Sequence, residues 1–162
     1  MAAVAVGLEM GVPEERIRQG LRSFRNLAGR QETLRAYGYT LIKDCYNAGP
    51  ESMEAALKVL GEKQGRKIAV LGDMSDLGEA SGAYHEQVGA EAAAIAEVLI
   101  TKGDRATRIA QAARDRAAEL GRPLSVTPVY TAAAALQALP ADLGPGDVVL
   151  VKGSAEARME RV

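Results

Sequence analysis

From Tyr39 onward, short apolar runs alternate with stretches of helical periodicity, and that alternation constrains the fold more than any other feature of the chain. The runs are Tyr39 to Cys45, Lys67 to Met74, Glu97 to Thr101, Ser125 to Tyr130 and Asp147 to Lys152. Between them the spacing predicts helices over about Pro50–Leu60, Ser81–Ala94, Ala106–Leu120 and Thr131–Leu139, with a last helix from about Ala155. Strand alternating with helix implies βαβ units, a mostly parallel sheet and helices on both faces, an α/β fold. The run Lys67-Ile-Ala-Val-Leu-Gly is continuously apolar rather than alternating, as expected of a central strand buried on both sides. Upstream, Gln31–Tyr37 and Tyr39–Cys45 flank Gly38 and suggest a β-hairpin at one edge. Two helices precede it: an Ala/Val/Leu helix over Ala2–Met10 with little polar surface, and one opening at Pro13-Glu14-Glu15 and carrying Ile17, Leu21 and Phe24.

Within this frame, Thr40 to Ala55 stands out as a strand delivering side chains into a turn and then a helix. Leu41 and Ile42 lead to Asp44, Asn47-Ala-Gly49 supplies turn residues tolerant of positive φ, and Pro50 suits a first helical position. Ligands of open α/β sheets bind beyond the carboxyl ends of the strands, so Asp44, Tyr46 and Asn47 are the leading functional candidates. Other strand tips are also polar or glycine-rich: Gly72-Asp73, Thr101-Lys-Gly-Asp104 and Lys152-Gly-Ser154. Most of them are expected along one cleft.

The length of 162 residues is that of about one domain, and a formal net charge of −1 with no basic face disfavours nucleic acid and anionic membrane as partners. No apolar run approaches the roughly 20 residues of a membrane-spanning helix. One cysteine and no basic leader suggest a reducing cytoplasm. Phosphate-loop fingerprints, a nucleophile elbow and clusters of metal-ligating residues are all missing from the sequence. Residues alone therefore give an α/β domain with a polar cleft.

Five segments in register go further. Gly29-Arg-Gln-Glu32, Asp44-Cys-Tyr-Asn-Ala-Gly-Pro-Glu-Ser-Met53, Ile68-Ala-Val-Leu-Gly-Asp-Met74 with Leu77-Gly-Glu79 and His85, Val151-Lys-Gly-Ser154, and Arg158-Met-Glu-Arg-Val162 together resemble the Mur ligases. The branch that adds D-alanyl-D-alanine is the nearest in pattern; sister enzymes adding one amino acid tend to carry Ala-His where this chain has Tyr46-Asn47. The resemblance implies that residues 1–29 are the end of a central ATPase domain and 30–162 a Rossmann-like C-terminal domain. On that view the chain is part of a larger enzyme of peptidoglycan and cell-wall synthesis, and inactive alone, because the phosphate loop lies in the missing N-terminal and central domains.

The implied reaction uses ATP and Mg2+ in the complete enzyme, neither held tightly by this fragment. An acyl phosphate forms on the UDP-muramoyl tripeptide, and the amine of D-Ala-D-Ala attacks it. By resemblance, Arg30, Asp44, Tyr46 and Asn47 bind nucleotide, Asp73, Met74, Lys152 and Ser154 bind substrate, and no catalytic or metal-binding residue falls in the fragment. Capping roles remain open for Asp44, in its own turn, and for Asp73, at the N-terminus of the next turn. His85 is expected on a helix face and Cys45 as a small buried hydrophobe.

Two departures stand out against the family's usual Asp-Ser-Tyr-Asn-Ala-Asn-Pro and Lys-Gly-Ser-Arg-Gly-Met. Cys45 and Gly49 replace a serine and an asparagine, and Ala155-Glu156-Ala157 replaces the segment that begins with arginine. The alternative to a ligase domain is a non-catalytic Rossmann-like module binding a small ligand or partner.

Overall fold

The computed structural model describes residues 2–24 and 26–162. Two helices, α1 (Ala2–Glu9) and α2 (Glu14–Ser23), precede a six-stranded sheet and bury no residue. The strands are β1 (Glu32–Ala36), β2 (Tyr39–Asp44), β3 (Lys67–Gly72), β4 (Val98–Lys102), β5 (Ser125–Val129) and β6 (Val148–Lys152). The helices connecting them are α3 (Pro50–Gly61), α4 (Ser81–Ile95), α5 (Ala106–Glu119) and α6 (Ala132–Gln137). The sheet order is β1-β2-β6-β3-β4-β5, antiparallel only between β1 and β2. The expected mostly parallel α/β sheet with an N-terminal hairpin is thus present.

Local chemistry explains the edges. Tyr37 and Gly38 both take positive φ (49° and 88°), the turn geometry that matches strand twist in a two-residue hairpin. Pro128, which lacks an N–H for a ladder, falls in β5 at the opposite edge. The interior strands β3 and β6 are apolar on both faces. Ala69, Leu71, Val148 and Leu150 pack with residues of α3, α4 and α5, whereas Ile68, Val70, Val149 and Val151 pack with Ala135 of α6, Ala157 and Met159. Because β6, the last strand in the chain, lies between β2 and β3, Lys152 sits in register with both Asp44 and Leu71.

Two expectations need correction. The chain after Ser154 is not a helix but two single 3-10 turns, Ala155–Ala157 and Met159–Arg161, separated by left-handed Arg158 (φ 45°). The break lets Met159 seat fully buried against Gly72 and Gly153, where an added Cβ would lie 2.7 and 2.5 Å from its side chain. None of Asn47, Ala48 and Gly49 takes positive φ; Gly49 is extended at φ −137°.

Candidate functional site

At the carboxyl end of β2 a cleft of about 430 Å³ is lined by Arg30, Gln31, Asp44, Tyr46, Asn47 and Lys152, with Asn26 and Ser52 at its margins. Each residue is placed by a local cause. Asp44 is the last residue of β2 and nearly buried; its Oδ1 accepts the Gln31 N–H (3.1 Å) and its Oδ2 accepts from Lys152 Nζ (2.8 Å). The Tyr46 N–H donates to the Gly29 carbonyl (3.0 Å), tying the turn to the segment before β1. That bond brings the Arg30 guanidinium over the Tyr46 ring, 3.8 Å from its centroid, a stacked cation–π contact. Asn47 Oδ1 accepts the Ala48 N–H (2.9 Å), and Ser52 Oγ accepts the Gly49 N–H (3.0 Å) in the first turn of α3. Tyr46 and Asn47 also wall a second cleft of about 660 Å³ that reaches Lys43, Cys45 and Glu160.

Arg30, Asp44, Tyr46 and Asn47, the four residues expected to face a nucleotide, therefore converge. The four expected to bind substrate do not. Lys152 lines the same cleft but is only 1% exposed, and its ammonium is committed to Asp44 and to the Asn47 carbonyl (3.0 Å). Asp73 is turned away: its Oδ1 accepts the Ala106 N–H (2.6 Å) at the start of α5, and an added Cβ on Gly103 would lie 2.4 Å from its carboxylate. It caps α5, which follows α4 and β4 in the chain, rather than the next turn. The Met74 side chain is fully buried in the core and lines neither cleft. Ser154 is buried too, its hydroxyl 3.0 Å from that of Ser75, which also donates to Glu156 (2.8 Å).

His85 is a further correction, because it lies in the interior. Its Nδ1 faces the Ser81 carbonyl at 2.6 Å and its Nε2 accepts the Met74 N–H at 3.1 Å, a pairing that assigns the ring proton to Nδ1. Cys45 is buried as expected; burial pushes its thiol up to about 11, and Sγ lies 3.4 Å from the Val151 carbonyl, so it is no thiolate nucleophile. Sequence reasoning missed Gln31, which enters through its backbone N–H and so leaves no side-chain signal. It also missed Ser52, although Gly-Pro-Glu-Ser is legible as a helix start.

The geometry suits a planar or hydroxylated anion: a fork-shaped cation on an aromatic ring beside a carboxylate with lone pairs to spare. Among the described residues no group of three or more His, Cys, Asp or Glu side chains converges. No helix is long and apolar enough to cross a membrane among the described residues.

Residues 29–155 match the family described as Mur ligase, glutamate ligase domain. The chain is 36% identical to UDP-N-acetylmuramoyl-tripeptide–D-alanyl-D-alanine ligase of Mycobacterium leprae, covering 95% of this chain and 33% of that protein. It is 34% identical to the Escherichia coli ligase of the same name, covering 100% and 34%. Among solved structures, MurF from Acinetobacter baumannii superposes with a TM-score of 0.82 at 30% identity, over 98% of this chain and 35% of that one. MurF ligase from Thermotoga maritima in complex with ADP gives 0.81 at 25%, over 98% and 34%. The chain spans about a third of the length of these relatives.

Proposed function

The chain belongs to the Mur ligase family, and from that premise we propose that it closes over the nucleotide and receives the incoming amine in an ATP-dependent ligase. The reaction is the joining of D-alanyl-D-alanine to UDP-N-acetylmuramoyl tripeptide, a step of peptidoglycan precursor synthesis in the cytoplasm. Residues from Arg30 onward form the closing unit, and residues 1–29 belong with the central ATPase unit. The names of the matched relatives support a ligase over a stand-alone binding module.

The convergence of Arg30, Asp44, Tyr46 and Asn47 in one cleft at a strand's carboxyl end carries this reading. Arg30 forms no ion pair with a described residue, and its fork suits a phosphate. Asp44 keeps lone pairs for sugar hydroxyls. ATP supplies the phosphoryl group that activates the tripeptide carboxylate. The protein's own contribution is to hold the amine about 3 to 3.5 Å from the acyl carbon and to exclude water. Mg2+ would arrive with the nucleotide and be held outside these residues.

The test is a chimera in which this chain replaces the matching third of the E. coli ligase. It should release ADP in response to D-alanyl-D-alanine. Asp44→Ala should raise the ATP concentration for half-maximal rate about 10- to 150-fold, from one charge-assisted hydrogen bond of about 1.5 to 3 kcal/mol. A folded chimera that releases no ADP overturns the proposal, and so does an unchanged ATP dependence of the variant.

A further inference from the structure

Lys152 is the unexpected member of the cleft. Parallel neighbours in register point to the same face of a sheet, so the pairing of Lys152 with Asp44 brings ammonium and carboxylate together at the sheet's carboxyl edge. Two of the three ammonium donors are spent, on Asp44 Oδ2 and on the Asn47 carbonyl. Both acceptors belong to the strand end and turn that line the cleft. The charged residues lining it are Arg30, Asp44 and Lys152. The pair cancels, which leaves the charge of Arg30 to face the ligand. Without Lys152 the cleft would hold a nearly buried, uncompensated carboxylate, costly in itself and repulsive to an anion.

We infer that Lys152 is a positioning residue: it neutralises and aims the Asp44 carboxylate, so that the cleft admits an anionic nucleotide while keeping acceptor oxygens for its hydroxyls. The inference rests on the nucleotide reading above. It replaces a direct role for Lys152 in gripping a substrate carboxylate. Charge compensation acts on the charged part of a ligand, whereas a mere structural prop would serve charged and uncharged ligands alike.

The experiment is a titration of the 162-residue chain with ADP and, separately, with adenosine, followed by amide chemical shifts in two-dimensional NMR. In Lys152→Met, ADP binding should weaken about tenfold, the scale of one unit charge removed at about 12 Å in an effective dielectric of about 20, and adenosine binding by less than about threefold. In Asp44→Asn, which keeps the ammonium, the ratio of ADP to adenosine affinity should move the opposite way, so the test survives if Lys152→Met fails to fold. Equal losses for the two ligands, or a ratio unmoved in both variants, overturn the inference alone. Because this chain is not expected to hold the nucleotide tightly, the titration runs to about 10 mM ligand, on the order of ten times a millimolar Kd; no response of the unaltered chain to either ligand there overturns the nucleotide reading, and this inference with it.

Discussion

Gly49 shows how far a single position is free. Its backbone is extended at φ −137° and ψ 167°, and an added Cβ would meet nothing within 4 Å, so nothing there demands glycine. It is nevertheless the N-cap of α3 and offers no side chain to the first-turn N–H groups. Gly49→Asn should therefore stabilise the chain by about 0.5 to 1 kcal/mol, partly as a cap and partly by narrowing the unfolded ensemble. The melting temperature should rise by about 1 to 4 °C, and a fall would contradict the open space read here. Site residues divide by the same local logic. Asp44, Tyr46 and Asn47 were legible because a strand end, a turn and Pro50 follow one another in sequence, while Arg30 was legible only through resemblance. The environment of Lys152 was not, because sequence places it at a strand tip without saying which tip lies beside it. Asp73 misled for a similar reason: the helix it caps begins at Ala106, far along the chain.

Packing between elements carries the next constraint. In α4, an added Cβ on Gly89 would lie 2.3 Å from the Ile109 carbonyl oxygen of α5, a backbone atom that cannot swing aside. Alanine is the better helix former, yet Gly89→Ala should destabilise by about 1 to 3 kcal/mol, because the two helices must separate to admit the methyl. A urea midpoint equal to or above the parent's would contradict that close approach. At the opposite end of the sheet, Arg66 grips Asp147 just before β6 through Nε (2.9 Å) and Nη2 (2.7 Å), and this guanidinium holds the Asp147 carboxyl below its ordinary value of 3.8. A carboxyl depressed in the folded state contributes stability that is complete above its unfolded value and is lost as pH falls through the folded one. The parent should thus exceed Asp147→Asn by about 1 to 2 kcal/mol at pH 7, discounted because Arg66 is 32% exposed. Urea midpoints should converge progressively below about pH 4, and a constant gap down to pH 2 would exclude the ion pair as its source. Strands and helices themselves were legible from continuous apolarity and helical spacing. The insertion of β6 between β2 and β3 was not, since strand order follows from long-range pairing. Nor were the two C-terminal turns, since an Ala/Glu/Arg/Met composition favours a helix and the left-handed Arg158 leaves no mark in sequence.

For the whole molecule, the two apolar layers on either face of the sheet begin in β2, and no residue of α1 or α2 enters them. Val6, Leu8, Met10, Leu21, Phe24 and Leu27 stay exposed there, as the scarcity of polar residues in Ala2–Met10 foreshadowed. Hydrophobic stabilisation scales with apolar area removed from water, so helices that bury so little should contribute little to global stability. Removing residues 2–23 leaves intact the bonds that tie the segment before β1 to the cleft, namely Asn26 Nδ2 to the Gln31 carbonyl, the Gly29 N–H to Glu32, and the Tyr46 N–H to the Gly29 carbonyl. The shortened chain should melt within about 3 °C of the parent, a change of less than about 1 kcal/mol, with a single calorimetric transition. It should also be less prone to association, because the exposed apolar side chains Val6, Leu8, Met10 and Leu21 are lost with the helices. A fall of more than about 10 °C would mean that α1 and α2 support the sheet through contacts their exposure does not reveal. A retained transition together with a retained response to ADP would place folding and ligand recognition within residues 24–162.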